Sequence, residues 1–293
     1  MEIIRTVSWM KEAARGSRAE NHVTGLVPTM GALHEGHLSL VRRARTECSR
    51  VFASIFVNPA QFGANEDLAK YPRTFEEDVA KLEAEGVHAV FAPEPKEIYP
   101  PGFSTYVTVE GLSDRLEGKT RPGHFRGVAT VVLKLFEIMQ PVHAYFGRKD
   151  AQQVRVLQQM AADLNLDTNL VVCPLVREPD GLALSSRNVY LSAEERRGAL
   201  VLYRALGALR DAAVAGERSA PRLQQLLVDT IAHEPLARVD YATLVDAETF
   251  EPVAVLGGRP TYALLAVYFG KTRLLDNLLI EPVGPSGELF CSL

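Results

Sequence analysis

The chain has 293 residues, of which 47% are hydrophobic and 23% charged, with a formal net charge of -4. This composition is typical of a soluble globular protein and excludes a disordered or fibrous chain. The near balance of 32 basic and 36 acidic residues argues against a protein whose main partner is nucleic acid.

Cysteine usage and the N-terminal segment indicate the compartment. Cys48, Cys173 and Cys291 lie far apart, without CxxC or CxxH spacing, so we expect neither a disulfide framework nor a thiolate zinc site. The N-terminal residues carry charges and no apolar targeting segment, and no apolar run is long enough to span a membrane. The expectation is a cytoplasmic protein that does not bind membranes.

Short β-rich runs alternate with amphipathic stretches through the first part of the chain. The pattern predicts strands over residues 22–28, 51–57, 87–92, 142–146 and 170–174, and helices over 36–48, 74–85, 128–140 and 150–164. Such alternation, with strands apolar on both faces, is typical of an α/β fold with a doubly wound parallel sheet of the Rossmann type. Functional loops then lie at the carboxyl edge of that sheet.

The pattern changes after about residue 175. A loop over 177–188 precedes predicted helices at 193–215 and 220–232 and predicted strands at 239–245, 261–269 and 272–280. Gly270 and Lys271 between the last two strands indicate a hairpin, hence an antiparallel sheet. We therefore predict two domains, a Rossmann-like domain over 1–175 and a smaller C-terminal α+β lid domain over 176–293.

The strongest functional motif lies where the first predicted strand passes into the first predicted helix. A helix N-terminus offers free N–H groups and a positive dipole end to a phosphate, and His34 and His37 beside Gly36 can face the same phosphate. A zinc site is the alternative, but the two histidines lack the HExxH spacing; one of them could also be a capping or core residue. The candidate phosphate-binding residues are Met30, Gly31, Ala32, Leu33, His34, Glu35, Gly36 and His37.

Two further segments suit phosphate chemistry. Gly147, Arg148, Lys149 and Asp150 follow a predicted strand; Lys149 supplies an ammonium, and Asp150 can accept ribose hydroxyls or simply cap the next helix. The second segment, Leu184, Ser185, Ser186 and Arg187, opens the second domain. Its hydroxyls and guanidinium could close over a triphosphate, although alone it could be an ordinary turn.

The order of these motifs resembles the nucleotidyl-transferring α/β superfamily, which includes class I aminoacyl-tRNA synthetases. Within it the chain resembles the pantothenate synthetase family over essentially its whole length. The matching segments are 28–37, 56–62, 71–74, 121–128, 146–153, 177–178 and 185–188. Arg148 and Leu184 depart from the family pattern, which has an acidic residue and Met there, and neither change removes a group that does chemistry.

The resemblance implies a nucleotidylyltransferase-type fold and ATP-dependent condensation of (R)-pantoate with β-alanine to pantothenate, as in coenzyme A biosynthesis. A pantoyl-adenylate intermediate, release of pyrophosphate and AMP, Mg²⁺ bound with the ATP phosphates rather than by a protein metal site, and a homodimer are also implied. The implied catalytic residues are His37, His34, Lys149 and Arg187, and backbone groups at Val176 would meet adenine. The implied pantoate and β-alanine residues are Gln61, Gln153, Asn58, Tyr71, His124 and Arg126.

Other functions stay open at this point. A related carboxylate-adenylating or nucleotidyl-transferring enzyme would share the motifs. A tRNA-charging enzyme would need a basic RNA-binding surface and usually another domain, for which the chain leaves little room. A catalytically silent nucleotide-binding regulator is disfavoured because His37, Lys149 and Arg187 are all present.

Overall fold

The computed structural model describes residues 1–63, 66–283 and 288–293. The chain forms two compact units, Met1–Pro174 (unit 1) and Leu175–Leu293 (unit 2). Each unit has its own apolar core, so each set of elements is built around separate buried clusters.

Unit 1 is built on a parallel sheet. Its strands are β1 (Glu2–Ile4), β2 (Thr24–Thr29), β3 (Arg50–Ile55), β4 (Ala89–Phe91), β5 (His143–Gly147) and β6 (Asn169–Cys173). Among the described residues they form one six-stranded sheet in the order β1-β4-β3-β2-β5-β6, with every pairing parallel. The predicted doubly wound parallel sheet is confirmed. The short strand β1 was not predicted.

Helices cover both faces of this sheet. They are α1 (Val7–Ala19), α2 (Glu35–Glu47), α3 (Phe75–Ala84), α4 (Pro95–Ile98), α5 (Glu117–Thr120), α6 (His124–Met139) and α7 (Ala151–Asp163). One core joins α1, α6 and α7 to one face, and a second joins α2 and α3 to the other. Successive residues of β2 divide between them, Leu26 into the first and Val27 into the second, because strand side chains alternate. Because both faces of the sheet are covered by helices, side chains of either orientation are buried, and the strands are continuous apolar runs in the sequence.

Two helices of unit 1 differ from the prediction. Helix α1 was not predicted; it begins after Thr6, whose side chain accepts a hydrogen bond from the Trp9 N–H, and it buries only Met10 and Ala14. Such a narrow apolar face leaves a weak periodic signal. Helix α6 begins at His124, a turn before the predicted start, directly after Gly123 in the left-handed conformation.

The strand order creates a switch point beside β2. From β2 the chain runs through β3 and β4 towards one edge of the sheet, whereas β5 and β6 lie on the other side of β2. In open α/β sheets the ligand crevice lies at the carboxyl ends of the strands where the order reverses. The loops after β2, β3 and β5 therefore border the expected crevice.

Unit 2 is an α+β unit. Its elements are α8 (Ala193–Gly198), α9 (Val201–Val214), α10 (Ala220–Ala232), β7 (Ala237–Asp246), β8 (Thr261–Phe269), β9 (Thr272–Val283) and β10 (Glu288–Ser292). The strands pair antiparallel in the order β10-β9-β8-β7. Phe269 pairs with Thr272, so Gly270 and Lys271 form the predicted two-residue hairpin turn.

The helices of unit 2 depart from the prediction at one point. The predicted helix over 193–215 is two helices, α8 and α9, because the N–H groups of Leu200 and Leu202 bond three residues back rather than four. The apolar pattern runs through this break and hides it. Strand β10 lies beyond the predicted strands. None of the helices in the described part of the chain is long and apolar enough to cross a membrane.

Candidate active site

Three neighbouring strands of unit 1 end at the predicted site. The loop after β2 ends at His34, and His37 follows in the first turn of α2. The turn after β3 carries Asn58 and Gln61, and the turn after β5 carries Lys149. Because β3, β2 and β5 are adjacent and parallel, their carboxyl ends lie side by side at the switch point. Residues far apart in sequence are thus brought to one edge of the sheet.

The loop after β2 has an unusual backbone conformation. Gly31 and Ala32 both have positive φ, +84° and +52°, a region that costs an L-residue such as Ala32 about 1 kcal/mol or more. A Cβ at Gly31 would lie 3.0 Å from a carboxylate oxygen of Asp78. Thr29 stabilises the start of the loop, accepting from the Gly31 N–H at 3.2 Å and donating to the Ser54 carbonyl at 2.7 Å.

Helix α3 holds the other side of this loop. The Asp78 carboxylate, fully buried, accepts hydrogen bonds from the backbone N–H groups of Ala32 and Leu33, both at 2.8 Å. It also accepts from the Thr74 hydroxyl at 3.1 Å. One turn further along α3, the Lys81 ammonium donates to the Leu33 carbonyl at 2.8 Å. The backbone N–H groups of two predicted phosphate-binding residues are therefore bonded within the protein.

The two histidines lie at the start of α2 with their rings in contact. The ring centroids are 4.1 Å apart and tilted by 39°. The backbone N–H of His34 donates to Nδ1 of His37 at 3.3 Å. A neutral imidazole that accepts at Nδ1 carries its proton at Nε2, so the backbone selects the tautomer in which His37 can donate a hydrogen bond from Nε2.

Both rings are neutral at neutral pH. Burial lowers the pKa of His37 to about 3, with a further contribution from His34. Burial, followed by the positive charge of Lys149, lowers the pKa of His34 to about 4. The pair therefore suits hydrogen-bond donation to an anion better than proton transfer near pH 7.

The turn after β5 lies within electrostatic reach of this pair. Lys149 lowers and Asp150 raises the pKa of both histidines. The Lys149 ammonium is 3.4 Å from the Asp150 carboxylate. Gly147 is the last residue of β5, and Arg148 is buried next to it. The structure thus brings the second predicted phosphate segment to the first.

A chain of amides lies after β3. Oδ1 of Asn58 accepts from the Ala60 N–H at 3.3 Å and from the Tyr99 hydroxyl at 2.7 Å, while Nδ2 donates to the Gly127 carbonyl at 3.1 Å. A backbone N–H can only donate and a carbonyl can only accept, so these contacts determine the orientation of the Asn58 amide. Burial raises the pKa of Tyr99, which keeps its phenol protonated.

The orientation of Asn58 determines that of Gln61. Nδ2 of Asn58 also donates to Oε1 of Gln61 at 3.0 Å, and Nε2 of Gln61 lies 3.3 Å from the sulfur of Met30. The acceptor end of Gln61 is thus directed at Asn58 and its donor end at the loop after β2. Gln61 can therefore offer N–H groups to an acceptor on a ligand.

His124 connects α6 to this amide chain. Its Nδ1 donates to the Gln61 carbonyl at 2.9 Å and its Nε2 accepts from Arg121 at 3.0 Å. Arg121 is itself paired with both carboxylate oxygens of Glu66. Burial, with a further contribution from Arg121, lowers the pKa of His124 to about 4. Both ring nitrogens are occupied, so His124 stabilises the backbone of Gln61.

The other predicted substrate residues of unit 1 differ in their surroundings. Tyr71 is buried and contacts Phe62 edge-to-face at 6.0 Å. Arg126 is exposed, with its guanidinium 3.9 Å from the ring of Tyr106. Gln153 is half-buried on α7. Its neighbour Gln152 is buried and bonds to the backbone of residues 112, 115 and 117, which assigns it a structural role.

The remaining predicted residues lie in a loop of unit 2. The Leu184 N–H donates to the Val176 carbonyl at 3.0 Å, and the Ser185 hydroxyl accepts from the Arg187 N–H at 3.2 Å. The side chains of Ser185, Ser186 and Arg187 are all half-buried. Local bonds thus give this segment a defined turn rather than an extended path.

A buried ion pair anchors the same loop. Both terminal nitrogens of Arg177 donate to the Asp276 carboxylate of β9, at 2.8 and 2.9 Å, and one also donates to the Gly181 carbonyl at 3.0 Å. Asp276 is 2% exposed. A bidentate pair of this kind holds both groups in one geometry, so it attaches the start of the loop to the sheet of unit 2.

Several residues that shape the site were missed in the sequence. Asp78 falls on the apolar face of α3, between Phe75 and Leu82 at spacings of three and four, and a charged residue in such a position is a signal that could have found it. Tyr99 gave no comparable signal, since its partner Asn58 is 41 positions away.

Comparison with known proteins identifies close relatives. A family model described as pantoate-beta-alanine ligase matches residues 2–279. The chain is 60% identical over 256 residues to the pantothenate synthetase of Acidobacterium capsulatum, covering 87% of this chain and 85% of that one. It is 52% identical over 284 residues to the pantothenate synthetase of Koribacter versatilis, covering 97% of both chains.

Solved structures agree with this likeness. The crystal structure of pantothenate synthetase from Thermus thermophilus is similar at 47% identity and a TM-score of 0.88, covering 94% of this chain and 98% of that chain. The pantoate-beta-alanine ligase from Francisella tularensis, solved in complex with beta-gamma ATP and beta-alanine, is similar at 34% identity and a TM-score of 0.76, covering 94% and 97%.

Proposed function

The chain belongs to the pantoate-beta-alanine ligase family, and we infer that it condenses pantoate with β-alanine to form pantothenate, using ATP. The observation that carries this conclusion is the match over residues 2–279. The solved relative that binds an ATP compound and beta-alanine supports the two substrates.

The reaction has two steps. A pantoate carboxylate oxygen attacks the α-phosphorus of ATP, the bond to the β-phosphate oxygen breaks, and pyrophosphate leaves. The β-alanine amine then attacks the acyl carbon of the pantoyl-adenylate, the bond to the phosphate oxygen breaks, and AMP leaves while the nitrogen loses a proton. The first step is needed because a carboxylate oxygen is too poor a leaving group for direct attack by an amine.

We propose that His37 and His34 stabilise the first transition state. Negative charge grows on the α-phosphate oxygens and the leaving pyrophosphate, and preorganised donors directed at such charge lower the barrier. The Nε2 tautomer of His37 and its low pKa support this role, since a neutral donor stabilises charge without giving up its proton.

Lys149 and the unit 2 loop are proposed to bind the phosphates. The charge of Lys149 lowers the pKa of both His34 and His37, so its ammonium lies close to the pair. An ammonium is also a compact partner for a phosphate. Arg187 offers a planar fork of donors, and Ser185 and Ser186 offer hydroxyls. We propose in addition that Asp150 contacts ribose. Backbone groups at Val176 and the side chain of Leu184 are the proposed neighbours of adenine.

Gln61 and Gln153 are the proposed pantoate residues, with Asn58, Tyr71, His124 and Arg126 around the pantoate and β-alanine positions. The fixed amide orientation supports a specific role for Gln61: we propose that its donor end binds a hydroxyl oxygen or a carboxylate oxygen of pantoate. Asn58 and His124 act through Gln61, one on its side chain and the other on its backbone.

We propose that Mg²⁺ binds together with ATP rather than at a metal site of the protein. Mg²⁺ enters as the ATP complex, where phosphate oxygens and water supply most of its ligands. Within the described residues there is no cluster of three or more His, Cys, Asp or Glu side chains suited to a metal ion. We propose a homodimer from the family resemblance, and a cytoplasmic location from the cysteine usage and the charged N-terminal residues.

The test is product formation with each substrate omitted in turn. The proposal predicts AMP and pantothenate in equal amounts only when ATP, Mg²⁺, pantoate and β-alanine are all present. AMP formation with an unrelated carboxylic acid in place of pantoate, and none with pantoate, would indicate a different carboxylate-adenylating enzyme.

A further inference from the structure

Two side chains of helix α3 form hydrogen bonds to the peptide groups on both sides of Leu33. The fully buried carboxylate of Asp78 accepts from the Ala32 and Leu33 N–H groups at 2.8 Å, and Lys81 donates to the Leu33 carbonyl at 2.8 Å. Asp78 and Lys81 are three residues apart and so project from the same side of α3. Neither side chain belongs to the set proposed to touch substrate.

The backbone before Leu33 adopts a conformation that L-residues rarely adopt. Gly31 and Ala32 precede Leu33 in consecutive left-handed conformations, with φ of +84° and +52°. Such conformations persist when surrounding contacts hold them, and they occur often at functional sites. Successive N–H groups in a turn of this kind form an anion-binding concavity, and here the protein's own Asp78 carboxylate fills it.

The segment held by Asp78 and Lys81 leads directly into the histidine pair. His34 follows Leu33, and its backbone N–H donates to Nδ1 of His37 at 3.3 Å. That bond selects the His37 tautomer with a proton at Nε2. A rotation of the peptide at Leu33 would turn the His34 N–H away, and the tautomer and orientation of His37 would no longer be determined.

We propose that Asp78 and Lys81 are positioning residues for the adenylation step: they hold the loop at Leu33 so that the His34 N–H orients His37 towards the α-phosphate. The inference rests on the proposed role of His37. Asp78 has a second effect, because it occupies the Ala32 and Leu33 N–H groups and leaves phosphate recognition to the side chains of the pair and the first turn of α2.

Asp78→Asn tests this proposal with almost no change of shape. An amide has a single acceptor oxygen, so one of the two loop N–H groups faces an NH₂ group instead. Because misplacement of a catalytic group by about 1 Å can reduce a rate by about 100-fold, we expect kcat for pantoate-dependent pyrophosphate exchange to fall by about 10- to 100-fold. The KM for pantoate should not change.

Two measurements distinguish positioning from general support of the fold. Reaction of separately prepared pantoyl-adenylate with β-alanine should keep its rate in Asp78→Asn, whereas a loss of folded protein would reduce both half-reactions by the same factor. Glu77→Gln, an exposed carboxylate on the same helix, makes the same charge change and should leave both rates unaltered.

Lys81→Met provides an independent variant on the same peptide. It removes the donor to the Leu33 carbonyl but keeps the alkyl stem, and it should reduce exchange selectively, by less than Asp78→Asn. If Asp78→Asn does not fold, the ratio of the two half-reactions in Lys81→Met decides.

His37→Ala measured in parallel distinguishes failure of the positioning role of Asp78 and Lys81 from failure of the proposed role of His37. Native exchange in a folded Asp78→Asn protein, or an equal loss in both half-reactions, overturns the positioning role if His37→Ala is defective. Native exchange in His37→Ala overturns the proposed site itself, together with the inference built on it.

Discussion

Acid should destabilise unit 1 through His124. The folded-state pKa of this ring is about 4, whereas an unfolded histidine has a pKa of about 6.5. The unfolded chain therefore binds the proton first, and stability is lost as the pH falls below about 6.5. At pH 5 the loss from this ring is about 2 kcal/mol, since each pH unit below the unfolded pKa costs about 1.4 kcal/mol until the folded ring also titrates.

The contacts of His124 give this shift its physical cause. The ring is 7% exposed, and its Nε2 accepts from Arg121, a group that can only donate. A second proton on the ring would lie directly against the guanidinium charge. Expulsion of the charged ring would also release the Gln61 carbonyl, so the same pH change disturbs the proposed pantoate site.

Urea unfolding followed by tryptophan fluorescence measures the effect in the right unit. The chain has a single tryptophan, Trp9, which lies on α1 of unit 1. Wild type and His124→Gln are compared at pH 7 and pH 5; the buried pair of His34 and His37 is present in both proteins and its contribution cancels. His233→Gln, an exposed position in unit 2, is the matched control.

The expected result is a loss of free energy of unfolding between pH 7 and pH 5 that is smaller in His124→Gln than in wild type by about 2 kcal/mol. The control should lose as much as wild type. An equal loss in wild type and His124→Gln would mean that the pKa of this ring is the same in the folded and the unfolded chain, which contradicts the prediction.

Four other predictions address the proposed function. His37→Ala should reduce pyrophosphate exchange by about 100- to 1,000-fold while the protein stays folded by circular dichroism; near-normal exchange would contradict its role. Lys149→Ala should weaken both ATP use and adenylation, and Lys149→Arg should restore them only partly; a defect confined to the β-alanine step would count against this. Gln153→Leu should reduce the kcat/KM preference for pantoate over a deoxy analogue, a preference of up to about 10⁴-fold in such sites, and an unchanged ratio would show that Gln153 does not read the hydroxyls. Light scattering at micromolar concentration should give a dimer mass, whereas an active monomer would refute the homodimer.

Much of the fold could be predicted because its elements have strong periodic patterns. Strand β8 and helix α10 match their predicted ranges, and the parallel sheet of unit 1 follows from the alternation of strands and helices. The elements that were not predicted, helix α1 and the break between α8 and α9, have weak local sequence signals. Helix α1 buries only Met10 and Ala14. The break between α8 and α9 follows Gly198 inside an otherwise apolar run, and a single glycine within a helical pattern does not by itself predict a helix end.

The candidate site was predictable only where short motifs carry its chemistry. His34, His37 and Lys149 stand in such motifs, and the fold brings their segments together because β2 and β5 are neighbours. The residues that orient them could not be found in this way. Asp78 and Tyr99 act through hydrogen bonds to residues more than 40 positions away, and that pairing depends on how α3 and the segment after α4 pack in three dimensions.

The adenylation of pantoate is tested most directly by exchange of labelled pyrophosphate into ATP, measured with Mg²⁺ and without β-alanine or RNA. Since adenylation of pantoate is the first and reversible step, label should enter ATP only when pantoate is added, and the accumulated adenylate should be converted to pantothenate and AMP once β-alanine is added. Exchange that is independent of pantoate, or none with pantoate while the folded protein still forms pantothenate, would contradict an adenylate intermediate at this site.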